Sequence, residues 1–495
     1  MFIRSIYFFR QLLTLCGIIV LFASCKKGWL NETPSSQIPS EVQFSTEGGF
    51  RDALMGVYIG MSKPSGYAKD MSWHLMDRLA ILYAPYTSTT PYIDFQDFNY
   101  TSVRSRPIVD GMWDVCYNNI ANINNALTNI EIKKSILDPI NYNIIKGELL
   151  ALRAYIHFDL IRIYGHGNFS GRPELASRLA IPYATVYGKD DPPQLTYTAT
   201  FQLMEADIDM AIDLLRKDDP VYTAAQHPAG YYDRVNINGF YNNRTLRMNY
   251  YAALALKARV LSWEGASARK VVARDIANEI ISNAPAHLIT AASSTNKVLM
   301  GEDLFSLNIQ GFSLITDLLL NASNATNYNA VFLAQAAAEE LYETDNPDIG
   351  LADFRYNTLT ELQVRGRVPV KLRQEGNDYI SKNRMPLIRI PELYYIAAED
   401  YIDTDLAKAI QYLNIVRQAR GILQDISAGS DKQTVKDELT KEYRKEFLSE
   451  GQLFFYYKRL GFTTYPGLAA DRVANDALYV LPYPANEIEF GGRIQ

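Results

Sequence analysis

Aromatic and polar side chains are frequent between Trp73 and Tyr100, a stretch in which the helical periodicity of the flanking sequence is lost. Tyrosine and tryptophan rings can stack on the apolar C–H faces of sugars, whereas sugar hydroxyls need amide and carboxylate partners. Both kinds of group occur here, so the stretch is predicted to be a loop that binds a carbohydrate. The candidate contact residues are Trp73, Asp77, Arg78, Tyr83, Tyr86, Tyr92, Asp94 and Gln96. The alternative is that these rings pack back onto the rest of the protein.

Several function classes are disfavoured by what the sequence lacks. The five histidines show no H-E-x-x-H motif and no metal-ligand spacing, and phosphate-binding and G-x-S-x-G motifs are also missing. We therefore expect no metal, no cofactor and no catalytic activity. A glycoside hydrolase remains an alternative, because it needs only two suitably spaced carboxylates. The net charge of −6 and the lack of a basic run argue against nucleic-acid binding.

A series of acidic residues recurs every four positions near the C-terminus: Glu438, Glu442, Glu446 and Glu450. This spacing places the carboxylates on one face of a helix, where the interleaved lysines and arginine can pair with them. We interpret the series as a solvated helix face with ion pairs, closed by Gly451 as a C-cap.

The first residues have the features of an export signal. Arg4 and Arg10 precede an apolar run, 12–23, which is shorter than the ~20 residues that a membrane-spanning helix needs. The run leads into Ala23-Ser24-Cys25, the pattern of a lipoprotein cleavage site. The prediction is a signal peptide at 1–24, lipidation of Cys25 and a tether at 25–45. An ordinary signal peptide followed by an unrelated cysteine is the alternative.

Cys116 is then left without a disulfide partner, because Cys16 leaves with the signal peptide and Cys25 carries lipid. Its helical spacing from Trp113 and Ile120 predicts a small, buried side chain rather than a nucleophile.

The stretch 147–165 is the most strongly helical part of the chain. It has two apolar stripes, one of them through Leu149, Leu152 and Ile156, which predicts a helix covered from two sides, with Gly165 as a left-handed C-cap. Further helices are predicted at 47–61, 109–130, 201–215, 246–263, 275–282, 407–420 and 435–448. Residues 285–385 are less regular, and 364–372 is a candidate strand region. The predicted fold is mainly α: a tetratricopeptide-like helical-repeat scaffold with long irregular loops and a few short strands.

Six segments carry motifs that occur in a fixed order along the chain: ELLALRAYIHFDLIRIYG (148–165), NYYAALALKARVL (249–261), PLIRIPELYYIAAE (386–399), LNIVRQARG (413–421), EYRKEFLSEG followed by KRLG (442–461) and LPYPANEI (481–488). Together they resemble the motifs of the SusD/RagB family of outer-membrane nutrient-binding lipoproteins, and the resemblance covers most of the mature chain.

The resemblance implies a helical body with an N-terminal SusD-like part at 46–284 and a C-terminal RagB/SusD-like part at 285–495, packed as one globular body. It also implies a non-catalytic, lipid-anchored protein of the outer membrane, exposed at the cell surface, that binds an oligosaccharide. Its implied partner is a TonB-dependent (SusC-like) outer-membrane transporter, which receives the ligand. A helical-repeat module that binds only a peptide or the transporter is the alternative from another class.

Overall fold

The computed structural model describes residues 39–376 and 378–495, and its architecture is mainly helical, as predicted. The longer helices are Glu47–Met61, Arg106–Ile132, Pro139–Tyr164, Tyr197–Asp218, Tyr250–Glu264, Ser267–Asn283, Gln335–Tyr342, Ile390–Thr404, Leu406–Ala419, Lys432–Glu446 and Leu453–Leu460. Shorter helices are Ser40–Gln43, Leu75–Leu79, Pro220–Thr223, Ser313–Leu319, Phe354–Asn357, Asp476–Tyr479 and Ala485–Glu489. Cys25, the predicted signal peptide and most of the predicted tether lie outside the described residues.

The long helices pack mostly in chain order, each against the next. Glu47–Met61 contacts Arg106–Ile132, which contacts Pro139–Tyr164, and that helix packs along Tyr197–Asp218. The series continues through Tyr250–Glu264 and Ser267–Asn283 to the C-terminal helices. Such a stack of helix pairs is the arrangement of a tetratricopeptide-like scaffold. None of the helices in the described ranges combines the length and apolar character that crossing a membrane requires.

Packing continues across the predicted boundary at residue 284. The helix Ser267–Asn283 lies against Ile390–Thr404, and Arg259 donates to both carboxylate oxygens of Glu392, with its Nε 2.6 Å from Oε1. These contacts join residues on either side of 284, and the two-part division itself stays a prediction.

The helix Pro139–Tyr164 is buried on nearly all sides, as its two apolar stripes predict. It begins at Asp138, whose carboxylate accepts the Ile140 N–H at 2.9 Å, with Pro139 at the first helical position. Gly147 permits close contact with the next helix, because a Cβ there would lie 2.8 Å from Cγ of Leu215. The prediction for Gly165 is wrong: its φ of −95° and ψ of −178° are extended, so the chain leaves the helix without a left-handed cap.

Two small antiparallel sheets complete the fold in the described residues. Asp303–Asn308 pairs with Arg384–Arg389, and Thr360–Gln363 forms a hairpin with Gly366–Pro369. This hairpin contains part of the region predicted as strand at 364–372.

The acidic series near the C-terminus is not a solvated face, and that interpretation is wrong. Glu442, Glu446 and Glu450 are buried, and only Glu438 keeps partial exposure. Glu446 contacts three guanidinium groups: Arg420 at 2.8 Å, Arg389 at 2.8 Å and Arg355 at 2.9 Å. Burial alone would raise the pKa of the Glu446 carboxyl, but these three cations hold the pKa well below its usual range.

The same buried charge cluster extends to other segments. Glu302 bonds Arg389 at 2.6 Å and Arg420 at 2.7 Å, while Glu450 bonds Lys371 at 2.7 Å. Opposite charges are thus matched in the interior, which offsets the cost of removing them from water. The i,i+4 spacing correctly predicted that the carboxylates share one side of the chain. That side is covered by arginines and lysines of other segments instead of facing solvent.

Candidate functional site

The segment 62–105 is folded tightly around the short helix Leu75–Leu79, every residue of which is buried. Asp77 fixes this helix to the C-terminal part of the chain: its carboxylate accepts the N–H of Ser449 at 2.7 Å and of Gly451 at 2.9 Å, and the Tyr83 hydroxyl at 3.2 Å. Burial raises the pKa of the Asp77 carboxyl, and these donors oppose the shift. Asp77 is therefore a structural anchor of the segment.

Trp73 is not placed where a ligand could stack on it. Its side chain is 0 % exposed, and its indole N–H donates to the carbonyl of Ala68 at 2.8 Å. The ring therefore fills the core and satisfies its one polar group on the backbone, so it offers no free face. This corrects the expectation that Trp73 contacts ligand.

Tyr83 and Tyr86 are also mainly internal. The Tyr83 hydroxyl donates to the carbonyl of Trp73 at 2.9 Å, and the Tyr86 hydroxyl lies 3.2 Å from Nε2 of His74. The guanidinium of Arg78 lies over the Tyr86 ring, 3.7 Å from its centroid. These rings pack back onto the scaffold, which was the alternative to ligand contact.

Tyr92 and Asp94 are half-buried and already have partners within the segment. The Tyr92 hydroxyl donates to Asp70 at 2.7 Å, and its ring meets His74 edge to face at 4.4 Å. Asp94 accepts from the Ser102 hydroxyl and lies 3.5 Å from Arg104. Neither residue belongs to the cleft described next, so ligand contact by them stays a prediction.

A cleft of about 250 Å³ opens between the aromatic segment and a C-terminal loop, 467–472. Of the eight residues predicted from the sequence, Arg78, Tyr83 and Gln96 line it. The opposite wall comes from Gly467, Leu468 and Arg472, which the sequence did not indicate. This wall lies in a loop whose sequence has no periodic pattern. Its contact with residues 81–98, far away in the chain, therefore could not be predicted from the sequence.

The backbone is strained on the aromatic-segment side of this cleft. Ile81 and Phe98 line it, and both have left-handed conformations, with φ of 55° and 56°. A left-handed conformation is unfavourable for a β-branched or bulky residue, and such strain clusters at functional sites. Gly467, with φ +87°, packs so close to Ile81 that a Cβ would lie 2.7 Å from its Cγ2. Gly467, on the opposite wall, thus packs directly against the strained residue Ile81.

Phe98 and Arg472 form the accessible part of the site. Phe98 is half-buried, and the Arg472 guanidinium lies 5.5 Å from the centroid of its ring. Arg472 is also 3.6 Å from Asp97, a pair with side chains 38 % and 79 % exposed. Gln96 accepts the N–H of Tyr86 and keeps its side chain partly exposed at the rim. An apolar ring beside amide and charged groups is the combination that binds polar molecules with apolar faces.

Larger cavities exist, but none of the residues predicted from the sequence lines them. The cavity around Gly167 and Lys458 measures about 490 Å³, and there Arg172 pairs with Asp476 at 2.8 Å. A cavity of about 360 Å³ beside Phe169 and Tyr197 has neither backbone strain nor any predicted site residue. We therefore assign the candidate site to the smaller cleft. In the described part of the chain, no group of three or more His, Cys, Asp or Glu side chains is arranged to hold a metal ion.

Two protein-family models match the sequence. A model described as starch-binding and associating with the outer membrane matches residues 28–231, and the model of the SusD family matches residues 324–489. No curated protein matches the sequence.

Solved structures from Bacteroides share the fold. A SusD superfamily protein from Bacteroides thetaiotaomicron is 23% identical, with a TM-score of 0.69 over 91% of this chain and 99% of that one. A SusD-like carbohydrate binding protein from Bacteroides vulgatus is 16% identical, with a TM-score of 0.68 over 90% and 96%. Surface glycan-binding protein A from Bacteroides thetaiotaomicron is 16% identical, with a TM-score of 0.65 over 92% and 99%.

Proposed function

The chain belongs to the SusD/RagB family, and we propose that it is a non-catalytic lipoprotein that binds a glycan in the cleft between residues 81–98 and 467–472. It passes this glycan to a TonB-dependent outer-membrane transporter and is held at the outer membrane by lipid on Cys25. The description of the family model as starch-binding, and the carbohydrate-binding and glycan-binding proteins that share the fold, support a glycan as the ligand class.

The observation that carries the proposal is the composition of the cleft. Phe98 supplies an accessible ring, and Gln96 and Arg472 supply hydrogen-bonding groups beside it. A sugar ring needs both, because its C–H faces are apolar and its edges are polar. The strained backbone at Ile81 and Phe98 supports a role for this wall beyond packing.

Binding can be tested with the mature protein, by affinity electrophoresis and calorimetry over plant, host and microbial glycans. In the variant Phe98→Ala we expect an affinity loss of about tenfold, since an aromatic contact contributes ~1 kcal/mol or more. Alanine has a Cβ like phenylalanine, so the left-handed backbone at position 98 is unfavourable for both residues. The variant therefore tests the ring alone.

Tyr379→Ala is the matched control, because Tyr379 is 93 % exposed and does not line the cleft. Its affinity should equal that of the unaltered protein. A glycan that binds the Phe98→Ala variant with full affinity would place the site elsewhere. Release of reducing ends during the assay would instead favour a glycoside hydrolase.

The transporter part of the proposal has its own test. A TonB-dependent transporter should co-purify with the protein from detergent-solubilised outer membranes, both with and without glycan. Co-purification combined with no binding of any glycan would favour a module that binds only its protein partner.

A further inference from the structure

Arg78 is an unusual buried charge. In the ranges that the structure describes, every other buried arginine has a carboxylate within 4 Å, among them Arg153 with Asp207 and Arg259 with Glu392. Arg78 is only 4 % exposed and has no such partner. An unpaired buried cation is costly, and proteins normally neutralise it with an acid or another ligand.

The hydrogen bonds of Arg78 are also incomplete. Its Nη1 donates to the carbonyl of Ala84 at 3.3 Å, and the guanidinium stacks on the neutral ring of Tyr86. The remaining nitrogens, Nε and Nη2, have no hydrogen-bond acceptor among the described residues. The nearest acid in sequence, Asp77, is bonded to Ser449 and Gly451 instead. A guanidinium with free donors fits a planar carboxylate well.

A second cation lies on the other wall of the same cleft. Arg472 is 38 % exposed and reaches Asp97 only at 3.6 Å, a weak pair whose acid is 79 % exposed. A ligand carboxylate can exchange for Asp97 here at little cost, because exposed ion pairs contribute little. The cleft therefore has two arginines and a single, solvated acid.

We propose that the ligand of this cleft is an acidic glycan, with the carboxylate of a uronic acid bound between Arg472 and Arg78. This inference rests on the proposed function and specifies its substrate class. Arg472 makes the outer contact, and Arg78 supplies positive charge from the inner wall. The apolar face of the same sugar packs on Phe98.

The test uses the mature protein with oligosaccharides of polygalacturonate, glucuronoxylan, alginate and hyaluronan, each beside its carboxyl-reduced, neutral counterpart. We expect at least one acidic member to bind, and its reduced form to bind about tenfold more weakly or worse. Because the contact is between charges, affinity should also fall as salt is raised.

Two variants test the arginines. Arg472→Gln should weaken binding of the acidic member about tenfold and binding of the reduced form much less, because glutamine keeps hydrogen-bonding groups but carries no charge. Arg78→Met should also weaken acidic binding while leaving the melting temperature equal or higher, since it removes an unpaired buried charge. A purely structural Arg78 would instead lower the melting temperature. Arg234→Gln is the control, since Arg234 is an exposed arginine, paired with Asp138, that does not line the cleft.

The outcomes separate the inference from the proposed function. If neutral glycans bind and Phe98→Ala weakens them, the cleft is a glycan site and the acidic assignment is wrong. Equal binding of acidic and reduced forms, or binding of dextran sulfate without any uronate, overturns the assignment in the same way. If no glycan binds at all, both the acidic assignment and the proposed glycan-binding function are wrong.

Discussion

At the scale of single residues, burial decides which polar groups are available for a ligand. Asp77, Tyr83 and Tyr86 have the chemistry of a sugar site, yet their polar atoms are bonded inside the protein. Arg78 and Arg472 differ, because two nitrogens of Arg78, Nε and Nη2, lack acceptors and Arg472 keeps only a weak ion pair. These two arginines therefore keep bonding capacity at the cleft.

Replacing Trp73 tests whether its buried ring stabilises the core and does not contact ligand. Trp73→Ala should lower the free energy of unfolding by ~3–5 kcal/mol, as expected for removing a large buried aromatic side chain. Urea denaturation followed by circular dichroism measures the change. Tyr379→Ala, which truncates an exposed ring, should leave the curve unchanged. A stable Trp73→Ala protein that loses glycan affinity would return Trp73 to the binding site.

Asp70 predicts a dependence of stability on pH. Burial raises the pKa of its carboxyl from 3.8 to about 6, against the attraction of Lys69. The folded state thus holds its proton more tightly than the unfolded state. The resulting stabilisation is complete below pH 3.8 and is lost as the pH rises through 6.

Asp70→Asn, which stays neutral, should therefore gain stability relative to the unaltered protein as the pH rises from 4 to 7. The relative gain is at most about 3 kcal/mol, from about two pKa units. Urea midpoints at both pH values measure it. Tyr92 can still donate to the asparagine carbonyl, so the variant keeps that bond. An equal stability difference at pH 4 and pH 7 would contradict the prediction.

At the scale of elements, the helices were predictable because their signal is local. The stripe through Phe50, Leu54 and Val57 predicts the helix at 47–61, and the structure has Glu47–Met61. Cys116, predicted to be buried from its helical spacing, is a buried free thiol. A period of 3.6 residues reports which face of a helix is covered without specifying what covers it.

The site and the acidic series were harder to predict because their partners are distant in sequence. Asp77, inside the mostly buried stretch 73–83, bonds the backbone of Ser449 and Gly451, more than 370 residues away. Likewise, the four-residue spacing of Glu442 and Glu446 is the same whether the helix face is solvated or buried, so the spacing cannot distinguish the two cases. The difference is made by Arg355, 87 residues away from Glu442.

The helix Lys432–Glu446 carries a stability prediction. Glu446→Gln removes the charge that neutralises Arg355, Arg389 and Arg420, so unfolding should become easier by ~3–5 kcal/mol. Asp437→Asn, an exposed position on the same helix, is the control and should change little. Equal urea midpoints for Glu446→Gln and the unaltered protein would show that the cluster does not stabilise the fold.

At the scale of the whole molecule, one helical scaffold presents loops from distant parts of the chain at a single cleft. The scaffold carries the family motifs, and the loops that line the cleft, 81–98 and 467–472, carry none of them. This is why membership of the SusD/RagB family could be predicted from the sequence while the composition of the cleft could not.

The predicted lipid anchor also belongs to this scale. Cys25→Ser should abolish labelling by a radioactive fatty acid and move the protein from the membrane fraction to the soluble periplasmic fraction. Cys116→Ser is the matched control, because that thiol is buried in the fold. Retention of the Cys25→Ser protein in the membrane would show a different attachment.

The buried charge cluster has a consequence for biogenesis. A growing chain contains Arg389 and Arg420 before Glu446 is made, so the cluster lacks this shared carboxylate until the helix Lys432–Glu446 has been made. Contacts between such distant positions form slowly, because long loops must close first. The C-terminal half should therefore stay unfolded and protease-sensitive during export and then fold in one cooperative step. Chains cut short before residue 446 should be degraded rather than accumulate as stable fragments.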